Sequence, residues 1–313
     1  MNISEKYMKT VENTYTVTEF HVDDVPCVRL DGLEYFNISQ IFDCGQCFRF
    51  DPAENPRHAA EFAGVAMGRC LRIGQDSPDS AVLYHTTAAE FEAVWKHYFA
   101  LDADYAAIRA DIAARFSHAS GGREGIIRDA MECGRGIRIL RQEPWETVCS
   151  FIISQNNNIP RIKKIIAALC RTYGEAILAD GGVHYAFPTP EAVAAAGIDA
   201  IFALRTGFRA KYLHDAAVRT VSGELDFAAV SHATPEEAEQ LLCQVKGIGP
   251  KVAACAMLFG FDKTEAFPVD VWMKRVLERH YPEGLDVQAL GRYAGIAQQY
   301  LFYYERYVSE HEL

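Results

Sequence analysis

Lys251 and Asp270 are the two residues of this chain whose types and settings suit covalent chemistry carried out jointly. Lys251 stands in VKGIGPKVAAC (245–255), directly behind two glycines and a proline, and Asp270 in FPVDVW (267–272), fifteen residues beyond Cys255. Pro250 suits the first turn of a helix, where its missing N–H costs nothing, and Gly247 and Gly249 allow positive φ and close backbone approach. LLCQVKGIGPKVA therefore reads as helix, tight turn, helix, with Lys251 opening the second helix. Bare N–H groups at such an opening suit a phosphate, although the GxxxxGK[ST] spacing of a P-loop is absent. Burial and the positive end of a helix both disfavour a lysine's ammonium form and make its amine a nucleophile; a nearby carboxylate acts in the opposite direction. Asp270 is placed to cap the next helix, a role worth about 1 kcal/mol. Cys255, four residues after Lys251, shares its helix face.

The elements that must hold these residues divide the chain near residue 125. Before it, TYTVTEFHV, GVAMGRCLRIG and SAVLYHTT are β-rich segments separated by Gly, Pro, Asp and Ser, as expected of an antiparallel sheet. After it, helical patterns dominate. In NNNIPRIKKIIAALCRTYG the residues Ile159, Ile162, Ile166 and Leu169 recur three and four apart and form one apolar stripe, with Asn as cap and Gly174 as terminator. No internal repeat or low-complexity linker interrupts the chain. The expectation is an α+β protein, with a β-rich domain over 1–127 and a helical region over 128–313.

The 313 residues are 50% hydrophobic and 23% charged, a balance that can bury a large core. Apolar runs such as 252–261 are about half the roughly 20 residues a bilayer demands, and the first residues lack the pattern of a secretion signal. A soluble, cytoplasmic protein is expected. Nine cysteines, an odd number spread widely, fit reduced thiols better than a disulfide framework. The net charge of −11 argues against a nucleic-acid partner only as an average. Between Gly134 and Gly174 seven Lys/Arg face two Glu, and between Leu241 and Tyr281 six Lys/Arg face four acids, so a local basic face is expected.

In order along the chain come GQCFRF (45–50), GIRILRQEPWETVCSFIISQNNNIPRI (136–162), GFRAKY (207–212), VKGIGPKVAAC, FPVDVW and AGIAQQYLF (294–302). Together they resemble the 8-oxoguanine DNA glycosylase/lyases of the helix-hairpin-helix superfamily, over most of the chain. The resemblance implies a TBP-like antiparallel sheet domain beside two helical lobes with the active site between them. It implies duplex DNA containing oxidised guanine as the partner, and a monomer as the working unit. Such an enzyme extrudes the damaged nucleotide into a pocket and fills the gap. By resemblance Asn156 enters that gap, Phe208 wedges beside it, and Arg161 and Arg209 meet the orphaned cytosine. The Gly45 carbonyl would meet N7, which carries a proton in 8-oxoguanine and none in guanine. Cys255 and Phe302 would sandwich the base, Gln298 would bond its Watson–Crick edge, and Gly247 and Gly249 would meet the DNA backbone. Lys251 would attack C1′ while Asp270 stabilises charge on the sugar, and a Schiff base would lead to β-elimination. No cofactor is required, although a monovalent cation on hairpin carbonyls is implied.

Two positions depart from the pattern. Trp272 stands where relatives carry His, which bears on the contact near the flipped nucleotide's phosphate, and Phe208 replaces a frequent Tyr, which bears on the demand for cytosine. Other readings make different demands on the sequence. An iron–sulfur member of the superfamily needs C-x6-C-x2-C-x5-C after the catalytic region, and no cysteine follows Cys255. A non-catalytic DNA-binding module would need neither Lys251 nor Asp270. Zinc on CGQC (44–47) would need a second cysteine pair at that spacing, which the chain lacks.

Overall fold

A computed structural model describes residues 6–7, 15–179 and 181–311. Strands β1 (Lys6–Tyr7), β2 (Thr16–Val22), β3 (Val25–Asp31), β4 (Phe50–Pro52), β5 (Ala60–Ala66), β6 (Arg69–Gln75) and β7 (Ser80–Tyr84) form one antiparallel sheet. Its order is β1-β2-β3-β7-β6-β5-β4. The segment GVAMGRCLRIG is a hairpin: Ala66 pairs with Arg69, and Met67 and Gly68 both have positive φ (53° and 68°), as a two-residue hairpin turn requires. One sheet face buries Val28, Leu30, Leu71, Ile73 and Leu83 against α1 (Ile38–Asp43). Beside α1 lie α2 (Ala88–Glu90), a π-helical turn (Phe91–Trp95) and α3 (Lys96–Tyr98), which contribute Phe91, Trp95 and Tyr98 to that core.

The remainder is helical apart from one small hairpin, β8 (Ala176–Ala179) with β9 (Gly182–Tyr185). The first helices are α4 (Tyr105–Ala119), α5 (Gly125–Cys133), α6 (Pro144–Ser154), α7 (Ile159–Tyr173), α8 (Pro190–Ile201) and α9 (Ala210–Ser222). They are followed by α10 (Phe227–His232), α11 (Pro235–Leu242), α12 (Pro250–Gly260), α13 (Val271–His280) and α14 (Ala294–His311). The α+β class expected from the sequence is the class observed. Arg49, at the sheet's edge, fastens the two parts by an ion pair of 3.0 Å to Glu146 on α6 and a hydrogen bond to the Tyr185 carbonyl.

α12 is the axis of the helical body, and every residue from Val252 to Gly260 is buried. Its small residues make that possible. A Cβ at Gly260 would lie 2.9 Å from Thr147 of α6, so the two helices touch nearly backbone to backbone. Phe151 of α6 stacks on Phe259 of α12 at 5.3 Å, a contact worth about 0.5–1.5 kcal/mol beyond its area.

α7 follows its predicted stripe with one correction. Ile162, Ile166 and Leu169 are buried and Asn158 caps the helix, but Ile159 is 38% exposed and Ile165 takes the inward place. Ile159 is the first helical residue and leaves the body with the loop that precedes it. Periodicity alone cannot detect that departure.

Candidate active site

Lys251 enters α12 in its first turn, behind Pro250, with extended Gly249 as an N-cap that offers no side-chain acceptor. The free N–H groups of this turn put a partial positive charge beside the amine. Gly247 alone of the two glycines uses positive φ (85°), and a Cβ there would lie 2.3 Å from the Tyr212 ring. Gly249 has φ −104° and open space where a Cβ would stand, so the expectation of positive φ does not hold there. The turn docks on α9, where the Lys246 N–H donates to Asp215 at 2.9 Å.

Asp270 is the N-cap of α13 and accepts the Met273 N–H at 2.9 Å. Capping and chemistry are compatible, because the bond engages one carboxylate oxygen. Lys251 and Asp270 line a single cavity of about 60 Å³ together with Gly45, Cys255, Gln298 and Phe302. All six residues that the sequence assigns to catalysis and the base pocket thus meet in one place. The Lys251 Nζ lies 5.7 Å from the centre of the Phe151 ring, and its charge acts on the Cys255 thiol. Burial pushes that thiol up to about 11, against the Lys251 charge and with the Asp270 charge, so Cys255 stays neutral and presents sulfur as an apolar surface. Lys251 also borders a groove of about 420 Å³ lined by Ala254, Met257, Phe267 and Val269, so the residue lies between the two cavities.

The remaining walls are specific in another way. Gly45 has φ 76°, and a Cβ there would be 3.6 Å from the Phe302 ring. Phe302 is half-buried against the core. Gln298 is 4% exposed, and its buried Oε1 has no hydrogen-bond partner among the described residues. An orphaned buried acceptor costs about 1–3 kcal/mol, and a ligand bearing N–H donors would relieve that cost. Sequence reasoning missed Cys44, Phe151, Phe259, Pro268 and Gln299, which complete the wall. For Gln299 the available signal was its place beside Gln298.

The second group gathers where α6 ends. Asn156 is exposed with φ 47° at the tip of the loop. Its neighbours are committed: Asn157 Nδ2 donates to the Ile153 carbonyl at 3.0 Å and Asn158 accepts the Arg161 N–H. Phe208 is 48% exposed and sits edge-on to Tyr212 at 5.9 Å, the ring that packs on Gly247. Arg161 is exposed and reaches the Arg205 carbonyl at 3.4 Å. Arg209 differs. It is 2% exposed, and its guanidinium donates to the carbonyls of Gln155, Asn156 and Thr206. Burial and the neighbouring Arg161 charge lower its pKa, and in this state it is a strut beneath the Asn156 loop.

Counting basic residues overstated their availability. Arg138 and Lys263 are buried on backbone carbonyls, and Arg141 and Lys163 are paired with acids. The exposed basic residues near the site are Arg161, Arg205, Lys211, Lys246, Lys274 and Arg275. Arg275 stacks on Trp272 at 4.7 Å. Among the described residues no group of three or more His, Cys, Asp or Glu could hold a metal ion, and no helix is long and apolar enough to cross a membrane.

A sheet domain joined to a helical body whose hairpin presents a lysine, with an aspartate capping the next helix, defines a helix-hairpin-helix base-excision protein. The profile described as HhH-GPD superfamily base excision DNA repair protein matches residues 149–286, and that of the 8-oxoguanine DNA glycosylase N-terminal domain matches residues 30–148. The chain belongs to the 8-oxoguanine DNA glycosylase family of this superfamily. The apo 8-oxoguanine glycosylase/lyase of Clostridium acetobutylicum is 36% identical, covering 92% of this chain and 98% of that one with a TM-score of 0.82. The same organism's enzyme bound to duplex DNA with cytosine opposite 8-oxoguanine is 33% identical over 100% and 99% of the two chains, with a TM-score of 0.81. The N-glycosylase/DNA lyase of Saccharomyces cerevisiae is 38% identical over 159 residues, 47% of this chain and 42% of that protein. The chain spans about half the length of the curated relatives it matches.

Proposed function

We propose that this chain is a bifunctional base-excision repair enzyme that removes 8-oxoguanine from duplex DNA and then cuts the strand. The observation that carries the reading is the unpartnered Gln298 Oε1, buried in the wall of the cavity that Lys251 and Asp270 share. A guanine-type base offers N1–H and N2–H donors to such an acceptor, and 8-oxoguanine adds an N7–H for the Gly45 carbonyl. At about 60 Å³ the cavity holds a few waters, so a purine enters only when its half-buried wall at Phe302 gives way.

The Lys251 amine attacks C1′ of the extruded nucleotide as the bond to the base breaks. The Asp270 carboxylate offsets the positive charge that builds on the sugar. Loss of the amine's protons and opening of the sugar ring give an imine between Lys251 and C1′. Removal of a C2′ proton then expels the 3′ phosphate, which is β-elimination. Every step uses groups of this chain and water, so no cofactor is required. The carbonyls of Lys246, Gly247 and Ile248 receive no donor among the described residues, which suits a monovalent cation held by the hairpin. Such a cation would supply positive charge for a DNA phosphate.

Arg161 reads the base opposite the lesion, Asn156 fills the gap, and Phe208 wedges the stack. One chain carries every part, so a monomer suffices. The reading puts the enzyme with the chromosome, which in a prokaryotic source is the cytoplasmic nucleoid. The test is cleavage of duplexes holding 8-oxoguanine opposite each of the four bases, with borohydride in a parallel set. Lys251→Gln should abolish base release and the trapped adduct while retaining binding to lesion DNA. A Lys251→Gln protein that still traps DNA removes the assignment.

A further inference from the structure

Recognition through Gly45 faces a physical difficulty. Glycine at positive φ has the widest conformational choice of any residue, so its carbonyl can swing away from the direction that a ligand needs. The structure answers with a clamp. In the turn 43–46 the Asp43 carbonyl accepts from Arg306 Nη1 at 2.6 Å, the Cys44 carbonyl from Gln299 Nε2 at 2.5 Å, and the Gln46 carbonyl from Gln142 Nε2 at 2.7 Å. Among the described residues the Gly45 carbonyl alone in this turn receives no donor. The Gln46 side chain is itself held by the Ile41 and Arg138 carbonyls and the Leu140 N–H. The peptide planes before and after the Gly45 carbonyl are therefore both fixed from outside, which restricts rotation of the plane between them.

We infer that Gln299 is a positioning residue for lesion recognition: its amide holds the Cys44 carbonyl and thereby fixes Gly45 as the free acceptor of the turn. Gln299 is 2% exposed on α14, where Gln298 precedes it and Phe302 follows one turn later. One helix thus supplies the acceptor for the base edge, the ring that stacks on the base, and the strut for the residue that reads N7. The inference rests on the reading of the site as an 8-oxoguanine pocket.

Gln299→Met keeps the length and removes the donor, whereas Gln299→Glu puts an acceptor against the Cys44 carbonyl. A misplacement of about 1 Å in a reactive arrangement costs on the order of 100-fold, so single-turnover release of 8-oxoguanine should fall roughly 10- to 100-fold, more for Glu than for Met. Cleavage of a duplex that already holds an abasic site needs Lys251 and no base, and should stay within about twofold of wild type in both variants. Equal losses on the two substrates would mean that Gln299 merely supports the fold, and no loss on either would mean that the clamp is idle; both results overturn the inference. Wild-type protein that leaves 8-oxoguanine in place overturns the functional reading itself. Wild-type release with Gln299→Met unimpaired overturns the Gln299 role alone.

Discussion

Arg161 and Arg209 share a residue type and a neighbourhood, but the structure gives them different work. The exposed guanidinium of Arg161 is available for the O2 and N3 acceptors of an unpaired cytosine, and a good base contact discriminates by about 1–3 kcal/mol. Arg161→Ala should therefore lower the cytosine-to-adenine ratio of cleavage rates and leave the melting temperature unchanged. Arg209 donates to three carbonyls under the Asn156 loop. Its removal strands buried acceptors at about 1–3 kcal/mol each, so Arg209→Ala should melt earlier and lose rate opposite all four bases. A changed opposite-base ratio with normal melting would show instead that Arg209 reads the base. Asp270 can be dissected similarly. Asn caps a helix as well as Asp does, so Asp270→Asn should keep its melting temperature and slow base release, whereas Asp270→Ala should also lose about 1 kcal/mol of stability. An Asp270→Asn enzyme with wild-type turnover would reduce Asp270 to a cap.

The hairpin makes a cleaner experiment of its two glycines than the sequence suggested. Gly247→Ala places a Cβ into the Tyr212 ring at positive φ, and should lower both melting temperature and DNA affinity. Gly249→Ala has open space and an ordinary φ, so melting should hold while affinity falls, since the new methyl stands where a phosphate would approach. Matching behaviour of the two variants in melting would contradict this account. Local pattern made the hairpin, the α12 entry, the Asp270 cap and the Asn158 cap legible, because each depends on residues within one turn. Long-range partners were not legible. Arg138 looked like part of a basic face and is buried on the carbonyls of Glu34, Tyr35 and Ala100, which lie 104, 103 and 38 positions before it. Gln299 bonds a carbonyl 255 positions away, and no spacing rule reaches so far.

Buried cysteine thiols weaken the molecule at alkaline pH. Burial pushes Cys255 up to about 11 and Cys44 and Cys170 to about 12, from the ordinary thiol value of 9.0, and raises Cys149 further. With folded values raised, the stabilising term is complete below about pH 9 and is lost as pH rises through the folded values, at up to about 1.4 kcal/mol per pH unit for each thiol. Melting temperature should fall steeply between about pH 9 and about pH 11, and a flat profile there would contradict the burial described. The packing of α12 has a different consequence. A helix buried from Val252 to Gly260 can exchange its amide hydrogens with solvent only when the body around it opens globally, while the exposed Asn156 tip exchanges by local fluctuation. On the proposed reading, Lys251 thus sits on a part of the protein that should exchange slowly and Asn156 on one that should exchange faster, so that DNA would bend the Asn156 loop without disturbing the amine.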